Sequence, residues 1–216
     1  LGVNIGPNKQ TKDMLNDYLV GLKTFAEIAD YLTINISSPN TENLRKFHEE
    51  NKFDELINLI ENEKKKLNTK VPIVVKISPD INDEQVEKIA EVLFRYDIKA
   101  IIVSNTTEAN REVLKNIQKN EKGGLSGKPL EVKSNQLINK FYKLLKNKVK
   151  IIGVGGVDSG KSAYSKFSAG ADYVQLYTGM VFQGPNIVNK IKKELKEILI
   201  NEGVKNFREI IGHKSK

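Results

Sequence analysis

The sequence contains no cysteine among its 216 residues. This absence excludes disulfide bonds, thiolate metal sites and any catalytic cysteine, but it does not indicate a cellular compartment. No apolar run approaches the roughly 18 consecutive residues that identify a membrane-spanning helix. The chain begins LGVNIG, without a starting methionine or a basic leader, so we expect the natural N-terminus to lie upstream.

The charged residues also lack any concentrated basic block. The formal net charge is +8, and most of the positive charge comes from lysines spread along every predicted helix. A basic field attracts phosphates, so nucleic acid is one conceivable partner. The scattered lysines instead favour a solvated surface without a nucleic-acid interface. The same field suits small anionic substrates or a phosphate-bearing cofactor.

Hydrophobic periodicity predicts six β-strands, each followed by an amphipathic helix. The predicted strands are short, β-branched and almost continuously apolar, which is typical of strands buried on both faces. They cover residues 1–5, 31–37, 71–78, 100–106, 150–156 and 172–178. The predicted helices cover residues 13–29, 53–67, 83–96, 134–147, 159–170 and 186–203. Capping signals support these bounds and lie at Asn82-Asp83, Asp158-Ser159, Gly170 and Gly203.

Six consecutive βα units predict an α/β fold with a parallel sheet and right-handed connections. An open doubly wound sheet gathers its chemistry at one point, whereas a (β/α)8 TIM barrel gathers it at the carboxyl ends of its strands. Polar or glycine residues end all six predicted strands, which favours the barrel. Eight units usually need about 250 residues, and six strands alone would leave two bare sheet edges. We therefore expect residues 1–216 to be the C-terminal six units of a single barrel domain, with two N-terminal units absent.

Residues 155–162, GGVDSGKS, match the pattern G-x-x-x-x-G-K-[ST] of nucleotide triphosphatases. Such an enzyme also needs a second strand that ends in Asp to hold magnesium, and no predicted strand ends in Asp or Glu. Lys161 is then a solvated residue in the first turn of a helix. Gly155 and Gly156 still favour a phosphate, because glycine lets the backbone approach a ligand at a helix N-terminus. The last two loops of a barrel are the usual phosphate site, so we expect a monophosphate-bearing cofactor there.

Amide side chains cluster at the predicted barrel mouth. Asn35 and Asn105 lie at the carboxyl ends of two predicted strands, and Asn40 follows the first of them. Ser38 lies between Asn35 and Asn40, and Lys76 is inside a third strand. Amides offer donors and acceptors, so several together suit a planar ligand with alternating N–H and C=O groups, such as a pyrimidine or a flavin. A lysine within an apolar strand is costly unless negative charge meets it, and a reduced flavin anion would supply that charge. Taken singly, these residues are also ordinary loop and cap residues.

The chain resembles the dihydroorotate dehydrogenases in a series of motifs, which match in order and spacing: NISSPNT…LR, VKISPD, SNTT, GGLSGKPL, IIGVGGVDSG and AGADYVQLYTG. The similarity extends to the closing NFREIIG. It is closer to the membrane-associated, quinone-dependent class (class 2), because the cytosolic enzymes carry cysteine at the position of Ser38. The resemblance implies a barrel that binds FMN and oxidises dihydroorotate to orotate in pyrimidine (UMP) biosynthesis, with a quinone as acceptor. It also implies a helical segment before the barrel that docks on the bacterial or mitochondrial inner membrane.

The resemblance implies roles for individual residues. Ser38 would be the base that removes the C5 proton while hydride leaves C6 for flavin N5, and Thr41 would lie on the proton's exit route. A serine hydroxyl is a poor base, so it would need a relay and a water-poor site. The residues that would hold the orotate ring are Asn35, Asn40, Asn105 and Thr106.

The same resemblance implies two groups of FMN contacts. The flavin would be contacted by Asn4, Asn35, Lys76 and Ser104, with Lys76 stabilising negative charge near N1 and O2 on reduction. The ribityl phosphate would be held by Ser126, Gly127, Gly155, Gly156, Tyr177 and Thr178. This placement agrees with the phosphate site expected from the glycine pattern alone.

Two other functions are alternatives to dihydroorotate oxidation. A transfer-RNA dihydrouridine synthase is also a flavin barrel and would explain the positive charge, but such enzymes use a cysteine acid and an RNA-binding helical domain that the sequence does not contain. The other alternative is a barrel that binds phosphate without redox chemistry. His48 and His213 are isolated and are predicted to lie on the surface, so no metal site is expected.

Overall fold

Six parallel strands form one sheet, in which they follow one another in the order of the chain. A computed structural model gives the fold of residues 1–213, except residues 40, 42, 43, 97, 110, 113 and 146. The strands are β1 (Gly2–Ile5), β2 (Tyr31–Asn35), β3 (Ile73–Ile77), β4 (Ala100–Val103), β5 (Lys150–Val154) and β6 (Tyr173–Gln175). Each of the five neighbouring pairs is parallel.

In the described part of the chain, seven α-helices follow or connect these strands. They are α1 (Met14–Phe25), α2 (Glu50–Lys66), α3 (Asp83–Arg95), α4 (Glu131–Leu145), α5 (Gly160–Ala169), α6 (Thr178–Gln183) and α7 (Ile187–Asn201). Short 3-10 helices lie at Leu44–His48, Ile117–Asn120, Lys128–Leu130 and Phe207–Ile210. Among the residues that the structure defines, no helix combines the length and the apolar character needed to cross a membrane.

The winding of the chain is that of a (β/α)8 barrel. Each of α1 to α4 packs against the next helix in the series, and α5 packs against α7. The helices therefore share one face of the sheet, whereas a doubly wound sheet would place helices on both faces. The predicted α/β barrel-type fold is confirmed, and the open doubly wound alternative is excluded.

Local signals predicted the bounds of α3 and α5, where the caps form as expected, whereas α2 and α4 each begin three residues earlier than predicted. Asn82 caps α3 in a capping box with Gln85, and Ser159 caps α5. Gly170 ends α5 with a φ of 118°, a left-handed conformation that favours glycine. The short helix α6 was not predicted. Its first residue lies in the segment assigned to the last strand, and six residues are too few to show a helical period.

The two faces of the sheet are filled differently. The face toward the helices carries the main core, which includes Ile73, Val75 and Ile77 of β3. The opposite face carries a small cluster that includes Val74. Because side chains alternate along a strand, Lys76 lies on the same face as Val74. In this winding that face is the barrel interior, and Lys76 is close to its carboxyl-terminal mouth.

Candidate active site

A cavity of about 640 Å³ opens at the carboxyl ends of β3 to β6. Its volume is within the usual range for small-molecule and cofactor sites. Most of the predicted site residues line it, namely Lys76, Ser104, Asn105, Thr106, Ser126, Gly127, Gly155, Gly156, Tyr177 and Thr178. Residues from the ends of several strands thus converge on one space, as the barrel interpretation requires.

The glycine turn after β5 forms one end of the cavity. Gly155 and Gly156 have φ values of 109° and 78°, in the region that favours glycine. A Cβ on Gly156 would lie 2.4 Å from the Cβ of Glu131, so a side chain is also excluded by packing. Within the described chain, no backbone or side-chain acceptor receives the N–H of Gly155, Gly156 or Thr178. These donors are available to an anion, while Lys161 is exposed, as predicted.

Two further loops meet this turn. The Thr178 hydroxyl donates to Ser126 Oγ over 2.9 Å, which joins the loop after β4 to the start of α6. Gly127 has a φ of 77°, and a Cβ there would lie 2.9 Å from Thr178 Cγ2. Tyr177 lines the cavity with an exposed side chain. The three loops predicted to hold a phosphate are therefore adjacent.

Lys76 brings an unpaired cation to the cavity. Its side chain is half-buried in β3, and burial lowers the pKa of its ammonium group below the ordinary value. No carboxylate of the described residues forms an ion pair with it. An anionic group in the cavity would lower the free energy of this lysine by supplying the missing counter-charge.

An amide cluster lies beside Lys76, at the end of β2. Asn35 Oδ1 accepts hydrogen bonds from the hydroxyl and the N–H of Ser37 over 2.7 and 3.2 Å. Asn105 Nδ2 donates to Ser37 Oγ over 3.0 Å and lies 3.5 Å from Asn35 Oδ1. Asn105 Oδ1 accepts the N–H of Thr106 over 2.8 Å. Asn35 and Asn105 therefore lie next to each other, as predicted, and the fully buried Ser37 bonds to both.

Other predicted residues stand apart from the cavity wall. Ser38 and Thr41 are half-buried on the segment after β2 and do not line the cavity. Their neighbour Pro39 lies close to the cavity-lining residue Thr106, with Gly124 between them. A Cβ added to Gly124 would lie 3.2 Å from Pro39 and 1.8 Å from Thr106 Oγ1. Asn4 is exposed at the end of β1, away from the cavity lining. Asn40, a predicted substrate ligand, lies outside the described residues.

The surface assignment of His48 is wrong. Its side chain is 1% exposed, because the 3-10 helix Leu44–His48 packs onto the end of β3. The ring Nε2 accepts the N–H of Ser78 over 3.1 Å, and Nδ1 donates to the carbonyl of Arg45 over 2.8 Å. Burial lowers the pKa of His48 to about 4, so the ring is neutral near pH 7. His213 is half-buried, with its ring edge-on to Tyr164 at 5.9 Å.

Three residues with structural roles at this site were not singled out from the sequence. Ser37 joins the amides, while Arg45 and Asp80 tie the surrounding loops together. All three lie within the motifs NISSPNT…LR and VKISPD. Their presence in those motifs was the available signal, but it did not indicate what they contact. In the part of the chain that the structure defines, no group of three or more His, Asp or Glu side chains is placed to hold a metal.

The chain is similar to known dihydroorotate dehydrogenases over most of its length. The family model of dihydroorotate dehydrogenase matches residues 1–199. A dihydroorotate dehydrogenase (quinone) from Bartonella tribocorum is 42% identical over 99% of this chain and 60% of its own length. The mitochondrial dihydroorotate dehydrogenase (quinone) of Mus musculus is 40% identical over 98% of this chain and 54% of its own length.

A solved structure is similar over the entire chain. The crystal structure of DHODH from Eimeria tenella in complex with ferulenol has a TM-score of 0.94 and 36% identity, and covers 100% of this chain and 62% of that one. This chain spans about 60% of the length of the first bacterial relatives. That it forms the last six units of one barrel domain stays a prediction. The match over residues 1–199 and the identities near 40% show that the chain belongs to the dihydroorotate dehydrogenase family.

Proposed function

We propose that the protein is a quinone-dependent dihydroorotate dehydrogenase that uses FMN and converts dihydroorotate to orotate in pyrimidine biosynthesis. The observation that carries the proposal is one cavity lined by Asn105, by Lys76 without a carboxylate partner among the described residues, and by a glycine turn with available N–H groups. Asn35 is held next to Asn105 through Ser37. The relatives named dihydroorotate dehydrogenase (quinone) support the choice of acceptor. Docking on a bacterial or mitochondrial inner membrane through a preceding segment belongs to the same proposal. Two relatives are named mitochondrial, which supports only the mitochondrial location.

The cavity fits FMN at both ends of that molecule. The N–H groups of Gly155, Gly156 and Thr178 would bind the ribityl phosphate, since oriented backbone donors favour an anion. Ser126, Gly127 and Tyr177 would complete this end. At the other end, Lys76 and the adjacent Ser104 would contact the ring system, with Lys76 compensating negative charge. Asn4 and Asn35 are further proposed contacts.

The chain's own residues would orient the substrate and remove a proton from it. A bound FMN would supply the acceptor for the hydride that leaves C6. Asn35 and Asn105, fixed through Ser37, would present amide groups to the pyrimidine ring, together with Thr106. Fixed amides lose little freedom on binding, which favours a productive orientation. Asn40 is proposed to act on the same ring.

Ser38 would take the C5 proton, and Thr41 would pass it toward solvent. Ser38 directly follows Ser37, which bonds to both amides, so the base would be close to the ring that those amides hold. Its half-buried position limits access of water, as a weak hydroxyl base requires. Pro39, the next residue, lies beside Gly124, where an added Cβ would be 3.2 Å from Pro39 and 1.8 Å from Thr106 Oγ1, and this proximity supports the placement.

The test is reduction of a bound flavin by dihydroorotate. Purified protein should be yellow, and anaerobic dihydroorotate should bleach it. A colourless protein that binds phosphate would instead support the non-redox barrel, and a flavin that responds only to RNA would support the dihydrouridine synthase. Either result would overturn the proposal.

The role of Ser38 has its own test. Ser38→Ala should retain flavin but lose its reduction at neutral pH, because the base is removed while the cofactor site remains. Ser165→Ala, in α5 outside the cavity lining, is the matched control and should behave like the wild type. Reduction of Ser38→Ala at the control's rate would exclude Ser38 as the base.

A further inference from the structure

The guanidinium of Arg45 joins three loops beside the cavity. Nε donates to the carbonyl of Ser37 over 3.4 Å, and Nη2 donates to the carbonyl of Thr106 over 3.3 Å. Nη1 lies 3.1 Å from Asp80 Oδ2 and 2.9 Å from Glu108 Oε2. One side chain therefore links the loops that follow β2, β3 and β4. A planar guanidinium with five donors in a fixed arrangement suits such a position.

Asp80 holds this arginine in place. One carboxylate oxygen accepts from Arg45 and from the N–H of Glu108, over 3.1 and 3.0 Å. The other accepts from Lys133 and Thr107. Burial alone would raise the pKa of Asp80, but the hydrogen bonds from Lys133, Thr107 and the N–H of Glu108, with the charge of Lys133, outweigh it and hold the pKa below its ordinary value. Asp80 thus stays charged at neutral pH.

The segment from Ser37 to His48 is fixed at both ends. At its start, Ser37 bonds to Asn35 and Asn105. At its end, Arg45 contacts the neighbouring loops and His48 is buried against Ser78. Ser38, the proposed base, lies between these anchors. The carbonyl that Arg45 contacts in this segment belongs to Ser37, one residue before Ser38.

We propose that Arg45 is a positioning residue, which holds Ser38 in register with Asn105 and Thr106 through its contacts with the Ser37 and Thr106 carbonyls. This inference rests on the proposed function, because it concerns the geometry of proton removal from C5. Arg45 does not itself line the cavity, and by this proposal it does not touch the substrate. Its effect is transmitted through the two backbone segments that it joins.

The kinetic test compares flavin reduction by dihydroorotate deuterated at C5 or at C6, in the wild type and Arg45→Gln. Misplacing a base by about 1 Å costs roughly 10²-fold in rate, so the reduction rate constant should fall by about that factor. The C5 isotope effect should rise relative to the C6 effect, because only proton removal is impaired. A merely structural loss would reduce the amount of reducible flavin and leave both isotope effects unchanged.

Arg45→Lys and Arg95→Gln complete the set. Lysine can pair with Asp80 but lacks the planar group that reaches both carbonyls, so Arg45→Lys should show the same change in the isotope effects if Arg45→Gln does not fold. Arg95 pairs with Asp54 on the outer surface, so its replacement removes a matched arginine–carboxylate pair without touching the segment. The inference would be overturned if both Arg45 variants showed the same isotope effects and rates as Arg95→Gln.

A second readout needs no turnover. Lys46 is exposed in the anchored segment, and trypsin should cleave after it faster in Arg45→Gln than in the wild type or Arg95→Gln. If wild-type flavin is not reduced by dihydroorotate, the proposed function fails, whereas the trypsin comparison still decides whether Arg45 fixes the segment. Equal cleavage rates would show that it does not.

Discussion

Replacing Lys166 by methionine should change how the stability of the protein depends on pH. The Lys166 side chain is fully buried in α5, and its ammonium donates to Ser134 Oγ and Asn135 Oδ1 over 3.0 and 2.9 Å. Burial lowers the pKa of Lys166 from 10.5 to about 7, although the charge of Glu131 partly opposes the shift. The native state therefore binds this proton much less tightly than the unfolded chain does.

The sign and size of the effect follow from proton linkage. Where the unfolded chain binds more protons, the free energy of unfolding rises with pH, so stability should increase between pH 7 and 10.5. With pKa values of about 7 and 10.5, the increase from pH 7 to pH 9 is about 2 kcal/mol. Methionine keeps most of the buried volume and removes the titration. The hydrogen bonds of Lys166 are lost in this variant, and that loss shifts the free energy of unfolding by a similar amount at each pH.

Urea unfolding at pH 7, 8 and 9 measures this difference. The wild type should gain about 2 kcal/mol across the series relative to Lys166→Met. Lys161→Met changes an exposed lysine of the same helix and should follow the wild type. Staying at or below pH 9 avoids ionisation of Tyr18, whose pKa is raised by burial. Parallel stability curves for the wild type and Lys166→Met would refute the reasoning.

Three further predictions follow from the site. His48→Gln should abolish a wild-type loss of about 2 kcal/mol in unfolding free energy between pH 7 and pH 5, because burial lowers the pKa of His48 to about 4 and the unfolded ring binds a proton near 6.5. If urea titrations gave the wild type and His48→Gln the same pH dependence, this prediction would be contradicted. His213→Gln is the control. Gly156→Ala should weaken flavin retention and cost about 2 kcal/mol, because φ is 78° and the new methyl group meets Glu131; full flavin content after gel filtration and an unchanged urea midpoint would argue against it. Lys76→Ala should lower flavin retention and the flavin reduction potential, and unchanged values in a redox titration would contradict the charge argument.

The fold was largely predictable because it depends on periodicity and on local caps. Six apolar strands with helices between them admit few parallel arrangements, and the polar strand ends distinguished the barrel from the doubly wound sheet. The error at His48 has a tertiary cause. The nearby Lys46, Glu49 and Glu50 are charged and favoured a surface position. The N–H of Ser78 at the end of β3, however, needs an acceptor, and the imidazole Nε2 supplies it.

The site was predictable only in part. Residues at strand ends, such as Lys76 and Asn105, could be placed because the barrel brings those ends together. Arg45 and Asp80 are 35 positions apart, and their pairing depends on how two loops pack. No local pattern encodes such a contact, so motif membership marked these residues without revealing what they touch.

The match of residues 155–162 to the triphosphatase pattern has separate structural causes at its different positions. Gly155 is required by its φ of 109° and because a Cβ there would lie 2.9 Å from Leu130. Gly160 is required because a Cβ there would lie 2.4 Å from the Cβ of Glu194, where α5 packs against α7. Ser162 is buried, and its hydroxyl accepts N–H groups at the start of α5. Lys161 is exposed. Because Gly155, Gly160 and Ser162 each have a structural reason and Lys161 is exposed, the pattern carries no information about a triphosphate. The available N–H groups of the glycine turn still favour a single phosphate.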